Sequence, residues 1–204
     1  MVKRAPAEIL ETLEQAGYES YFVGGCVRDT LLGRPIHDWD ITTAARPETV
    51  MALFSHCVPT GIAHGTVTVL LEDTEAEVTT FRADGPYLDG RHPEGVTFVS
   101  SLEADLARRD FTVNAMAMDL RGALADPFGG QADLKGRILR AVGEPEQRFR
   151  EDALRMLRAL RFAAQLDFSL EAGTDAAIRR CHALTAALSA ERVRDEVEKT
   201  LLSP

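Results

Sequence analysis

The sequence predicts an α+β chain: a mixed head of strands and helices over residues 1–136, then an all-helical neck over 137–204. Three observations carry that prediction. Short β-type runs alternate with amphipathic segments as far as Asp126. The stretch Asp126-Pro127-Phe128-Gly129-Gly130 then interrupts the pattern with turn-forming residues. Beyond Pro145, apolar residues recur at helical spacing and strand signals are few.

Residues 5–16 place Ile9, Leu10 and Leu13 on one side of a helix that Gly17 closes. A strand at 20–23 follows, then a pair of glycines (Gly24, Gly25) and a short amphipathic helix over 26–32 ended by Gly33. A strand over 39–43 carries an acid pair. The helix over 47–54 opens on a proline, whose fixed φ suits a first helical turn. Residues 66–71 and 75–81 are β-rich runs joined by a short acidic turn, which is a hairpin signal. Residues 83–95 are rich in Gly, Pro and charge and read as a loop, with a further strand at 96–99. Past a hinge near 126–136, the pattern predicts helices over 146–166, 173–187 and 189–202. The last of these is still helical in pattern where Ser203-Pro204 close the sequence, which suggests a fragment of a longer protein.

With 204 residues, 45% hydrophobic and 27% charged, the chain can bury the core of one or two domains. No apolar run approaches a membrane span, and Met1-Val2-Lys3-Arg4 opens no signal peptide, so the expected location is the cytoplasm. The three cysteines (Cys26, Cys57, Cys181) are scattered, and they read as free thiols in a reducing compartment. A net charge of −9 argues against a non-specific nucleic-acid coat protein. It leaves a nucleic-acid substrate open, because residues 137–161 hold seven arginines against four acids. A solvated helix face explains the outermost of those arginines equally well.

Three clusters carry chemistry. In the first, Tyr21-Phe22-Val23 feeds Gly24-Gly25, a segment with Arg28 and Asp29 follows, and Asp38-Trp39-Asp40 comes next. Glycines at a helix start let backbone N–H groups approach an anion. Carboxylates two apart on a strand share a face. Such a pair suits one or two Mg²⁺ ions bound to a triphosphate, with Mn²⁺ accepted by the same oxygen donors. The chemistry indicated is nucleotidyl transfer. Glu77, on the 75–81 strand, is a candidate third carboxylate for which a solvated edge is an equal reading.

The second cluster is Arg108-Arg109-Asp110-Phe111-Thr112-Val113-Asn114-Ala115, which places cation, carboxylate and amide near one helix start. It can serve ribose hydroxyls and phosphate, although an Asp cap with flanking arginines is also a common structural device. The third is Glu151-Asp152-Ala153-Leu154-Arg155, continuing to Arg158 and Arg161. Asp152 and Arg155, three apart on one helix, would be surface neighbours. Together they could read the Watson–Crick edge of a base, whereas a plain intrahelical salt bridge is the simpler reading of the pair alone. His37-Asp38 has no further His/Asp set for a metal phosphohydrolase. Trp39, Phe54, Phe81, Phe98, Phe111 and Phe162 read as core, and Cys181-His182 as structural.

In this order, GGxVRD…DxD, RRDxxxNA, Asp-x-x-x-Gly and EDxxR resemble class II tRNA nucleotidyltransferases, the CCA-adding enzymes, and the related bacterial poly(A) polymerases. The resemblance covers nearly the whole chain. It implies a polymerase-β-type nucleotidyltransferase head and a helical neck. It further implies metal binding and catalysis by Asp38 and Asp40, and triphosphate contacts from Gly25 and Arg28. Arg109, Asp110 and Asn114 match the ribose and phosphate motif, and Asp126 and Gly130 a hinge-like element. Asp152 and Arg155 match the protein template that selects CTP or ATP, with Arg158 and Arg161 as nearby nucleotide contacts.

The implied reaction adds C, A or both to the tRNA 3′ end from CTP and ATP, with loss of pyrophosphate. No obligate protein partner is evident. Residues 81–95 resemble the loop that the family uses in switching from CTP to ATP, which disfavours a CC-only enzyme. An A-adding enzyme, a poly(A) polymerase and a nucleotide- or RNA-binding core without turnover remain alternatives. Family members continue into body and tail domains that hold the tRNA, so this length alone is expected to grip tRNA weakly.

Overall fold

A computed structural model of the chain describes residues 4–71, 74–85 and 95–202. The head opens with α1 (Arg4–Gln15), whose Ile9, Leu10 and Leu13 are fully buried, and Gly17 turns the chain at φ +89°. Then come β1 (Ser20–Val23), α2 (Gly25–Leu31), β2 (Trp39–Thr43) and α3 (Pro47–Leu53). Three strands follow: β3 (Cys57–Gly61), β4 (Thr66–Leu71) and β5 (Thr74–Thr80). After them lie β6 (Arg82–Asp84), β7 (Val96–Phe98), α4 (Leu102–Ala107), β8 (Ala117–Met118) and β9 (Leu124–Ala125). The remainder comprises α5 (Gly130–Gly136), β10 (Ile138–Leu139), α6 (Pro145–Glu151), α7 (Leu154–Leu166), β11 (Ser169–Leu170), α8 (Ala172–Cys181) and α9 (Ala190–Leu201).

A seven-stranded mixed sheet in the order β3-β4-β5-β2-β1-β8-β9 organises the head. Its strands pair antiparallel except β2 and β5, which run parallel with Asp40 opposite Glu77. Alternation along β2 sends Trp39 and Ile41 into the core and turns Asp40 to the opposite face. Trp39 meets Phe22 of β1 edge to face, with ring centroids 5.3 Å apart. The β4–β5 pairing has the register a hairpin requires, Thr66 opposite Thr79 through Leu71 opposite Thr74. The acidic turn between them lies outside the described residues. The same core continues past the sheet into the helices, where Phe111, Leu139, Phe162 and Leu166 join it. A second cluster of Phe149, Ala153, Met156, Ala177 and Cys181 locks α6, α7 and α8 together.

Several expectations need correction. The segment 83–95 is not all loop: Ala83 and Asp84 belong to β6, which pairs antiparallel with β7 as a separate two-stranded sheet. Residues 86–94 of it lie outside the described residues. The neck is not wholly helical, because β10 and β11 pair in parallel. The helix expected over 146–166 is two helices, broken where Asp152 adopts an extended conformation (φ −145°, ψ 108°). The helix expected over 173–187 ends at Cys181 and continues as a 3₁₀ turn, His182–Ala187. The expected hinge at 126–136 contains a short helix, α5, whose first N–H groups, of Gly130 and Gln131, donate to the Asp126 carboxylate. A Cβ at Gly130 would collide with the Thr112 carbonyl and the Met116 side chain, so only glycine fits there.

The candidate active site

Gly24 links β1 to α2 with φ +76°, a conformation that favours glycine. A Cβ there would also press on two site side chains, 3.1 Å from Arg109 Nη1 and 3.3 Å from Asp40 Oδ2. Three sequence-distant segments, the glycine turn, β2 and the turn after α4, therefore converge on one point. The cavity there is about 410 Å³ and is lined by Gly24, Gly25, Arg28, Asp38, Asp40, Arg109, Asp110, Asn114, Arg158, Arg161, Phe162 and Lys199. Nine of the eleven site residues expected from sequence share this one cavity; Asp152 and Arg155 do not line it.

Asp38 and Asp40 also line a second cavity of about 260 Å³ with Trp39, Thr68, Glu75 and Glu77. The acid pair is thus a wall with arginines on one side and glutamates on the other. Burial pushes the Asp40 carboxyl up to about 6; Arg109 and Arg28 oppose that rise, while Glu77 and Asp38 add to it. Among the described residues no three His, Cys, Asp or Glu side chains already form a closed metal cluster. The open pair of oxygen donors with surplus negative charge suits a hard divalent cation that keeps water and substrate ligands.

The opposite wall is a chain of hydrogen bonds. Arg28 donates to Asn114 Oδ1 at 2.8 Å, and Asn114 Nδ2 donates to Asp110 Oδ1 at 3.2 Å. Arg158 donates twice to Asp110 Oδ2, at 2.8 and 2.7 Å, and the Phe111 N–H donates to Oδ1 at 2.8 Å. All four acceptor positions of Asp110 are taken. Burial alone would raise its carboxyl, yet Arg158 and Asn114 hold it below the usual carboxylate range. The expected helix start at Asp110 is a single 3₁₀ turn, Thr112–Asn114.

Two contributors to this wall escaped the sequence reading. Phe162, expected as plain core, is a platform for cations: Arg161, Arg28 and Arg158 stand 4.1, 5.1 and 5.3 Å from its ring centroid. Asp105, fully buried in α4, accepts from Thr42 Oγ1 of β2 at 3.0 Å, the Arg82 N–H of β6 at 3.2 Å and Arg108 Nε at 3.0 Å. It also faces Arg109 at 3.5 Å, and so aims that guanidinium at the acid pair. The Leu-Glu-Ala-Asp-Leu pattern around Asp105 looks like a solvated helix turn, and only its distant donors reveal otherwise.

Asp152 and Arg155 are not paired neighbours on one helix. Asp152 occupies the α6–α7 break, where its Oδ1 accepts from the Leu154 N–H at 3.0 Å and its Oδ2 from Arg192 at 2.8 Å. Arg155 donates to Glu151 at 2.6 Å and to the Arg148 carbonyl at 3.2 Å. The arginine excess over 137–161 is neutralised in space, since each of the seven makes an ion pair. Asp167, Asp133, Asp110 and Glu196, all outside that window, take four of them.

Comparison with known proteins bears directly on this geometry. Residues 20–140 match the family model described as the poly A polymerase head domain. The chain belongs to that family. Residues 167–204 match a second model, described as a probable RNA and SrmB-binding site of polymerase A. The CCA-adding enzyme of Lactobacillus helveticus is 56% identical over 196 residues, 96% of this chain and 49% of that protein. The crystal structure of the Bacillus stearothermophilus CCA-adding enzyme with CTP superposes with a TM-score of 0.92 at 51% identity, covering 100% of this chain and 50% of the other. The Thermotoga maritima CCA-adding enzyme complexed with tRNA gives a TM-score of 0.80 at 28% identity, covering 98% and 47%. The chain spans about half the length of the relatives it matches. No described helix is long and apolar enough to cross a membrane.

Proposed function

We propose that this chain carries the catalytic and nucleotide-selecting part of a template-independent tRNA nucleotidyltransferase that adds C and A from CTP and ATP to the tRNA 3′ end. The observation that carries this reading is the single cavity in which an acid pair with surplus negative charge faces a wall of arginines. Similarity to CCA-adding enzymes, one with CTP and one with tRNA, supports full CCA addition over A-addition alone or poly(A) synthesis. A cytoplasmic location fits such a substrate.

The reaction is in-line attack of the RNA 3′-OH on the α-phosphorus of the nucleotide, forming the new phosphodiester and expelling pyrophosphate. Asp38 and Asp40 would hold Mg²⁺, or Mn²⁺ on the same donors, and such an ion would supply Lewis-acid activation of the attacking hydroxyl and charge neutralisation at the leaving oxygens. Glu77, opposite Asp40 in the sheet, adds to the charge that draws the ions in. Gly25, Arg28 and Arg109 receive the triphosphate. Asp110, its acceptors filled, holds Arg158 and Asn114 toward phosphate and ribose, with Arg161 alongside. Asp152 and Arg155 select the base from the α6–α7 junction.

Three tRNA transcripts test the proposal, ending before the first C of CCA, after CC, and after CCA, each with CTP, ATP or both. Ordered growth to CCA followed by arrest is expected. A-only growth on the CC-ended transcript would mark an A-adding enzyme, and long A tails a poly(A) polymerase. No incorporation with CTP still bound would leave a binding core without turnover.

A further inference from the structure

The α6–α7 junction poses a problem that the motifs do not solve. Asp152 is the C-cap of α6: its N–H still donates to the Arg148 carbonyl at 3.3 Å, but its extended backbone (φ −145°, ψ 108°) no longer gives its side chain the direction that a helix would. A carboxylate meant to distinguish one base edge from another needs a fixed direction. One of its oxygens caps α7 through Leu154, and the other is gripped by Arg192 of α9 at 2.8 Å. Both partners are largely shielded, with side chains 20% and 15% exposed, so the pair is less screened than a surface bridge.

The helix that delivers Arg192 is itself pinned. One turn further along α9, Glu196 accepts from Arg161 Nε at 2.6 Å, and both side chains are buried. A further turn on, the Lys199 carbonyl accepts from Gln165 Nε2 at 3.1 Å. Residues 192, 196 and 199 follow helical spacing, so three successive tethers hold one face of α9 along α7. The helix therefore acts as a brace that runs from the break at Asp152 along α7.

We infer that Arg192 is the positioning residue for base selection, holding Asp152 so that it accepts the exocyclic amine of cytosine or adenine and repels the carbonyl that uracil or guanine presents there. The inference rests on the reading that Asp152 faces the base. Each Asp152 oxygen keeps acceptor capacity beyond its present bond. Cytosine N4 and adenine N6 are donors, whereas uracil O4 and guanine O6 are acceptors that meet a fixed negative charge. Arg192 makes no claim on the triphosphate, so its loss removes discrimination and leaves the phosphate grip intact.

The test is calorimetric binding of CTP, ATP, UTP and GTP, each with Mg²⁺, to the full chain and to Arg192→Gln, Arg192→Lys and Asp152→Ala. Arg192→Gln is expected to lower the CTP-over-UTP preference about tenfold, the scale of one charge-assisted hydrogen bond. UTP affinity should stay within twofold, and Arg192→Lys should recover most of the preference. Equal weakening of all four nucleotides would show a merely structural role and overturn the inference. An unchanged preference in Arg192→Gln with its loss in Asp152→Ala would overturn the inference and leave the reading of Asp152 intact. If Asp152→Ala also keeps the preference, that reading fails and the inference with it.

Discussion

The acid pair at the start of β2 and the arginine-rich helices balance their charge in opposite ways. At the acid pair, burial pushes the Asp40 carboxyl up to about 6, with Arg109 opposing that rise and Glu77 and Asp38 adding to it. Along α6, α7 and α9, by contrast, Arg155, Arg158, Arg161 and Arg192 are each matched to a carboxylate at 2.6 to 2.8 Å. A site with unspent negative charge is built to take a cation. A site whose charges are already paired is built to hold a shape. The first region therefore suits the chemical step and the second suits choosing the substrate.

The largest effect that would sharpen this contrast comes from the hub between the regions. Asp105→Ala strands Arg82, Arg108 and Arg109 without their shared buried acceptor. Breaking a buried charge pair costs about 3–5 kcal/mol, which urea unfolding would show. Arg108 and Arg109 keep the Asp105 carboxyl below its usual range against the pull of burial. Its stabilising contribution is therefore present at neutral pH and lost as pH falls through that lowered value.

Asp40 shows the opposite sign. Its raised pKa favours the protonated apo protein, and that stabilisation is lost as pH rises through about 6. A bound cation must displace the same proton, so Mn²⁺ affinity should fall roughly tenfold per unit below that pH. Water-proton relaxation between pH 5 and 8 would measure it, and a flat profile would contradict the raised carboxyl. A smaller change is expected from Phe162→Leu, which keeps apolar bulk and removes the π face beneath three arginines. Triphosphate binding should weaken about threefold to thirtyfold, following the strength of partly buried cation–π contacts. Leucine behaving as phenylalanine would return Phe162 to the role of plain core.

How much the sequence disclosed follows the same divide. The strand at 39–43 was legible to the residue, because alternation and β-branching agree there with its burial. β3 was not: it holds Pro59, which only an edge strand tolerates, and most of it is exposed. β8, β9, β10 and β11 have two residues each, too few for any period to register. The break at Asp152 was hidden because apolar spacing runs on across it with no glycine or proline to mark it. Its causes are a local capping bond to Leu154, which an Asp makes as readily outside a break, and a tertiary partner forty residues away. The apparent basicity of 137–161 misled for the same reason, since four of the neutralising acids lie outside that window.

The central claim is that the acid pair performs the chemistry while the arginine wall and helices bind the nucleotide. Asp40→Asn tests it most directly, with CTP incorporation into tRNA and CTP affinity measured on the same protein. If Asp40 holds the metal as proposed, its loss should remove several kcal/mol of transition-state stabilisation, about a thousandfold in rate, while CTP affinity changes by less than about tenfold. Incorporation persisting near the parent rate would contradict the account.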